Sequence, residues 1–155
     1  GGNMSSRLFV EIREKRGLAY YVNTSTNFYT DSGYLVTQCG VAHDNLGKTV
    51  EVILENYRKI KREGVSSQEL QKAKDYLKGV VSLSLETSGA QASFLGHQEI
   101  LTNKIEDLET KFKKIDRVRP EDIQKVASDI FRPEKLNLAL IGPFKNKKKI
   151  EKLLT

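Results

Sequence analysis

Apolar residues along this chain recur mostly at helical spacing, and the strand-like stretches lie toward its two ends. Ser5 and Ser6 stand where caps belong, ahead of Leu8, Phe9 and Ile12 on one helical face. Gly17 supplies the stop, with Lys15 and Arg16 in the last turn, where a helix dipole favours cations. Residues 19–30 are rich in Tyr, Thr, Val and Phe and read as a strand. Asp31-Ser32-Gly33 is turn chemistry, and Tyr34–Val41 reads as a second strand, so the pair predicts an antiparallel hairpin.

Asp44 or Asn45 caps the next helix, whose face carries Leu46, Val50, Ile53, Tyr57 and Ile60 as far as the stop at Gly64. Ser66-Ser67-Gln68-Glu69 forms a capping box, with Val65 and Leu70 placed as a hydrophobic staple. That helix runs toward Glu86. Ser88 with Gln91 caps another, carrying Ala92, Leu95 and Ile100. A short helix follows over Leu108, Phe112 and Ile115, and Pro120 opens one more with Ile123, Val126, Ala127 and Ile130 inward. Leu136–Ile141 (LNLALI) predicts a third strand, buried on both faces, which Gly142-Pro143 ends before a short basic helix. The fold class expected is α+β: an antiparallel or mixed sheet packed against several helices. Three strands are few for so many amphipathic helices, which suggests an incomplete sheet.

The 155 residues suit one domain, and the balance of 38% hydrophobic with 30% charged residues is that of a globular protein. Apolar runs fall far short of the roughly 18 residues that a membrane span needs. Lys and Arg outnumber Asp and Glu by 26 to 20, a net charge of +6 that is too modest to name a partner. The single cysteine, Cys39, excludes an internal disulfide and any cysteine-rich zinc site. It alternates with Leu35, Thr37 and Val41, which gives it the place of a small buried hydrophobe.

Candidate chemistry is sparse. His97-Gln98-Glu99 places a histidine beside an acid, but adjacent helical residues diverge by about 100° and share no face. Neither His43 nor His97 has further ligands at metal-binding spacing, so no zinc site is encoded. The basic run Lys145–Lys149 lacks the interleaved aromatic residues of a nucleic-acid platform and reads as a solvated face. Gly1-Gly2 fits either anion binding at a helix start or tight packing. The stretch from Arg13 to Tyr20 stands apart. It puts a guanidinium late in a helix and a phenol early in a strand, and a reversal at Gly17 brings both to one end of the domain. Such a pair can donate hydrogen bonds to a carbonyl. Tyr20 shares parity with Val22 and Phe28, so a core position is equally open to it.

The strings GGNMSSRLFVEIREKRGLAYYV, YLKGVVSLSLETSGAQASFLGHQEIL, VRPEDIQKVASDIF and LNLALIGPF resemble, in that order, the C-terminal half of the pitrilysin/insulinase-type zinc peptidases, in the processing-peptidase-like branch. The resemblance covers essentially the whole chain. It implies that Gly1–Asn3 are native and that a first strand and helix of the domain precede them in the parent. In that family an inverted His-x-x-Glu-His motif and a later Glu, all in the N-terminal half, hold zinc and supply the general base. None of these lies in this chain. The C-terminal half contributes an Arg and a Tyr seven residues apart, and Arg13 and Tyr20 match them. The resemblance thus assigns Arg13 and Tyr20 to binding the substrate backbone and stabilising the scissile carbonyl. Tyr21 is off by one and is expected on the opposite strand face. Arg119 departs from the family, in which a Thr commonly caps the helix at Pro120.

The function expected is therefore that of residues 1–155 as an N-terminally truncated, substrate-binding, non-zinc domain of a zinc-dependent endopeptidase, with zinc as the parent's cofactor. The fragment alone is expected to be inactive. Its expected partners are a peptide substrate and the zinc-binding half, from the same chain or another subunit. A dimer is compatible, and neither nucleic acid nor a membrane is expected. No leader is visible at Gly1, so a cytoplasmic setting is the expectation. Two alternatives belong to other classes: a non-catalytic subunit of a heteromeric peptidase, and a small basic binding module built on Lys145–Lys149.

Overall fold

The computed structural model describes residues 1–144 and 147–154. Lys145 and Asn146, the first two residues of the basic run Lys145–Lys149 singled out in the sequence, lie outside the described residues. The chain divides into two compact units. One comprises Gly1–Glu63 and Val126–Thr155, the other Gly64–Lys125.

In the first unit a π-helical turn, Phe9–Glu14, leads into a hairpin of β1 (Ala19–Phe28) and β2 (Gly33–Val41). The hairpin closes through the Tyr29 amide, which donates to the Ser32 carbonyl at 2.9 Å. A short 3-10 turn, His43–Asn45, then opens α1 (Leu46–Glu63). Leu8, Ile12, Ala19, Val22 and Val52 form the core, with Ile12 wholly buried. The buried face of α1 also takes in Thr49 and Asn56, which periodicity in apolar residues passes over. Their polar groups are satisfied within the helix. The Thr49 hydroxyl donates to the Asn45 carbonyl at 2.9 Å and the Asn56 amide to the Val52 carbonyl at 2.8 Å.

The second unit is helical: α2 (Ser67–Ser84), α3 (Ser88–Thr102), α4 (Leu108–Arg117) and the start of α5 (Pro120–Ile130). The expected Ser66 cap forms, its hydroxyl accepting from the Glu69 amide at 3.1 Å. At α3 the cap is Thr87, one residue earlier than the expected Ser88, accepting from the Ala90 amide at 3.2 Å. At α5, where Arg119 brings no capping hydroxyl, Asp122 reaches back to accept from the Arg119 amide at 2.9 Å. Gln98 turns out to be a clamp. Its side-chain oxygen accepts from the Glu106 amide at 3.2 Å and its nitrogen donates to the Glu106 carbonyl at 3.3 Å. A last five-residue helix, α6 (Lys147–Glu151), belongs to the first unit.

Two expectations need correction. The first helix is not capped by Ser5 or Ser6. Asn3 holds that turn, its carboxamide oxygen accepting from both the amide and the hydroxyl of Ser5, while the Ser6 hydroxyl is buried without a hydrogen bond. The predicted strand LNLALI does not form either. Leu136, Leu138 and Leu140 are half-buried, Asn137, Ala139 and Ile141 are exposed, and the sheet contains β1 and β2 alone among the described residues. Alternation places side chains, but a strand exists only where a neighbour pairs with its backbone. The fold remains α+β, with a two-stranded antiparallel sheet and several helices.

Replacing Ile12 by Ala leaves a cavity in the core of the first unit and should cost about 3 kcal/mol in urea unfolding. Ser66→Ala removes one cap bond from α2 and should cost about 1 kcal/mol in the same measurement.

Candidate functional site

Arg13 and Tyr20 meet where the chain turns from helix to strand. The π-helical turn is defined by the Lys15 amide donating to the Val10 carbonyl, five residues back, at 2.9 Å. Such wide turns recur at functional sites. The chain then reverses at Gly17, whose φ of 57° is left-handed and free of strain for a residue without Cβ. The Gly17 amide donates to the Arg13 carbonyl at 3.2 Å, and the Leu18 amide to the Ile12 carbonyl at 2.9 Å. These bonds bring β1 back along the helical turn and seat Ala19 in the core.

A bulge follows at once. Ala19 faces Val41 and Tyr21 faces Gly40, which leaves Tyr20 as the extra residue on β1. The alternation slips by one there. Ala19 and Val22 are buried, whereas Tyr20 is 83% exposed and Tyr21 52% exposed. Parity with Val22 therefore does not place Tyr20 in the core.

The Arg13 guanidinium carbon lies 4.7 Å from the centre of the Tyr20 ring and 5.0 Å from that of Phe9, within cation–π distance of both. Among the described residues, neither the guanidinium of Arg13 nor the hydroxyl of Tyr20 has a hydrogen-bond or ion-pair partner. Their neighbours are spoken for. Glu11 takes Lys15 at 2.7 Å and also Arg16, so this carboxylate is committed to the two cations of the last turn. Those hydrogen bonds, Lys15 first, hold the Glu11 carboxyl down at about 2 against a usual 4.5, with burial opposing. Free donors of a half-buried Arg and an exposed Tyr side by side suit a carbonyl or a carboxylate. Sequence reasoning paired the two residues but missed Phe9 as the second wall, although its i, i+4 spacing to Arg13 was legible.

The other candidates resolve as structural. His97 Nδ1 lies 2.8 Å from the Ser93 carbonyl, and the His43 ring packs at 5.2 Å from that of Phe144. Cys39 is half-buried against the core, and burial pushes its thiol pKa up. Gly1 packs against Thr24, where a Cβ would collide, and its carbonyl accepts from the Thr24 amide at 3.0 Å. No group of three or more His, Cys, Asp or Glu among the described residues is placed to hold a metal ion. The described residues therefore do not fit a zinc ion, which needs three or four such ligands together.

Residues 1–77 match the family profile described as Peptidase M16 inactive domain. The chain belongs to that family. A protein named as an uncharacterized zinc protease, YmxG of Bacillus subtilis, is 38% identical over 146 residues, which is 94% of this chain and 36% of that protein. The M16 inactive domain of Pseudomonas fluorescens shares the fold with a TM-score of 0.73 at 21% identity, over 83% of this chain and 31% of that one. A chain of Complex III2 from Candida albicans does so equally, with a TM-score of 0.73 at 19% identity, over 81% of this chain and 30% of that one. The chain spans about a third of the length of the curated relatives it matches.

Because the folded Glu11 pKa lies below its ordinary value, its ion pairs add stability above about pH 4.5, and that stability is lost as pH falls toward 2. Glu11→Gln should therefore lower thermal stability near neutral pH, and its melting curve should converge with that of the unaltered protein near pH 2.

Proposed function

We propose that this chain is the substrate-holding, non-zinc domain of a zinc-dependent endopeptidase, in which Arg13 and Tyr20 grip the peptide being cut. The observation that carries this reading is the pairing of the two at 4.7 Å, Arg13 half-buried and Tyr20 exposed, both with unpartnered donors. The relatives named as zinc proteases support a peptidase parent. In this reading the zinc ligands and the general base lie in a different half of the enzyme, in the same chain or a partner subunit. The two halves enclose the peptide.

The chemistry left to this domain is binding and charge stabilisation. As the scissile carbonyl becomes tetrahedral, its oxygen gains negative charge, and a preset guanidinium answers that charge with little reorganisation. The phenol adds a neutral donor for the carbonyl or the adjacent backbone. Neither group forms a covalent bond with the peptide. The fold alone does not choose between a peptidase and a non-catalytic subunit, and it also occurs in a chain of Complex III2 from Candida albicans. The unpartnered donors of Arg13 and Tyr20 favour the peptidase.

In the intact protease, Arg13→Ala should reduce kcat for peptide cleavage by about 100-fold, the scale of a lost charge-stabilising donor. Tyr20→Phe, which keeps the ring but not the hydroxyl, should reduce it less. Unchanged cleavage in both variants would overturn the site. About one zinc per intact chain after purification is expected, and none, even on addition, would instead make the parent a non-catalytic subunit. The 155-residue chain alone should cleave no peptide.

A further inference from the structure

We infer that Phe9 is the positioning residue of this site: its ring holds the Arg13 guanidinium against Tyr20 and so fixes where the donors of Arg13 point. The inference deepens the reading of Arg13 as a substrate contact and rests on it. An arginine side chain has many rotamers, and a group that stabilises charge must already be in place when the charge develops. Hydrogen bonds do not orient this guanidinium, since among the described residues it makes none, and Glu11 is taken by Lys15 and Arg16. Its orienting contacts are two aromatic rings, Phe9 at 5.0 Å and Tyr20 at 4.7 Å.

The two rings differ in what holds them. Tyr20 is 83% exposed at a bulge, whereas Phe9 is half-buried and packed against the core that contains Leu8 and Ile12. Phe9 is thus the anchored wall. A ring also orients the group without consuming its hydrogen bonds, because the guanidinium meets it through the π-face and keeps its N–H groups for a ligand. A carboxylate in the same place would hold Arg13 more tightly but would occupy those donors. The π-helical turn puts Phe9 and Arg13 on the same side, four residues apart.

The test uses the intact protease and four variants. Phe9→Leu keeps an apolar filler but removes the π-face, and should lower kcat/KM by about two- to fivefold, mostly through kcat. Phe9→Tyr should restore it. Added to Arg13→Ala, Phe9→Leu should lower activity no further, because its effect passes through the missing guanidinium. An equal loss from Phe9→Leu with and without Arg13 would reduce Phe9 to packing and overturn the inference. So would full activity of Phe9→Leu where Arg13→Ala is impaired. If Arg13→Ala itself is silent, the substrate-contact reading falls. The Arg13 Nε–H resonance then decides the placement separately: its ring-current shift should change in Phe9→Leu, where the Tyr20 ring alone remains, and persist in Phe9→Tyr. A shift unchanged by Phe9→Leu would overturn the role of Phe9 independently of cleavage.

Discussion

Two backbone hydrogen bonds, from Gly17 to Arg13 and from Leu18 to Ile12, turn the first helical segment back on itself, and the order of the first unit depends on that turn. They require one residue with a left-handed backbone, which Gly17 supplies. With the reversal in place, Ile12 and Ala19 enter the same core as Leu8, Val22 and Val52. The same reversal sets Arg13 beside Tyr20, so packing and site geometry share one cause. A side chain with a Cβ at Gly17 would meet no neighbour, so conformation is the reason for glycine there and crowding is not.

Either side of the turn, the chain departs from regular geometry by one residue. The helical side closes i to i−5 hydrogen bonds, and the strand side carries a bulge at Tyr20. Both departures act on the display of side chains. The bulge moves Tyr20 out of the inward row that its parity assigns it, while Val22 keeps its place inside. The hairpin beneath is braced by a chain of hydroxyls, Thr24 to Thr37 at 2.7 Å and Thr37 to Tyr57 at 2.6 Å, with Tyr57 stacked 4.2 Å from Phe131. Irregular backbone at the site thus stands on a tied platform.

The second unit follows rules that act locally. Thr87 and Asp107 cap α3 and α4, and Asp122 closes the start of α5. Glu106 gathers Lys114 at 2.6 Å and Lys104 at 3.0 Å, which hold its carboxyl down at about 2, Lys114 contributing most. Both lysines are solvated, so the value of these pairs lies in fixing the 103–107 loop more than in net stability. The helices of this unit leave Leu83 and Ile100 largely exposed.

Helices, the Ser66 cap and the hairpin turn were legible in the sequence because each is decided by contacts between residues a few positions apart. Ser66 with Glu69, Gly64 and Asp31-Ser32-Gly33 are examples, and the Arg13–Tyr20 spacing belongs with them because it needs only one tight turn between its members. Tertiary structure decided the rest. LNLALI has the composition and alternation of a strand, yet among the described residues its backbone has no partner strand, and a ladder depends on a second segment that periodicity cannot supply. The exposure of Tyr20 likewise follows from how β1 pairs with β2 at Gly40, a relation between residues twenty apart. The role of Phe9 as a wall for Arg13 required both the π-helical turn and the core that anchors the ring. Local chemistry chose the elements, and pairing across the chain chose which side chains face out.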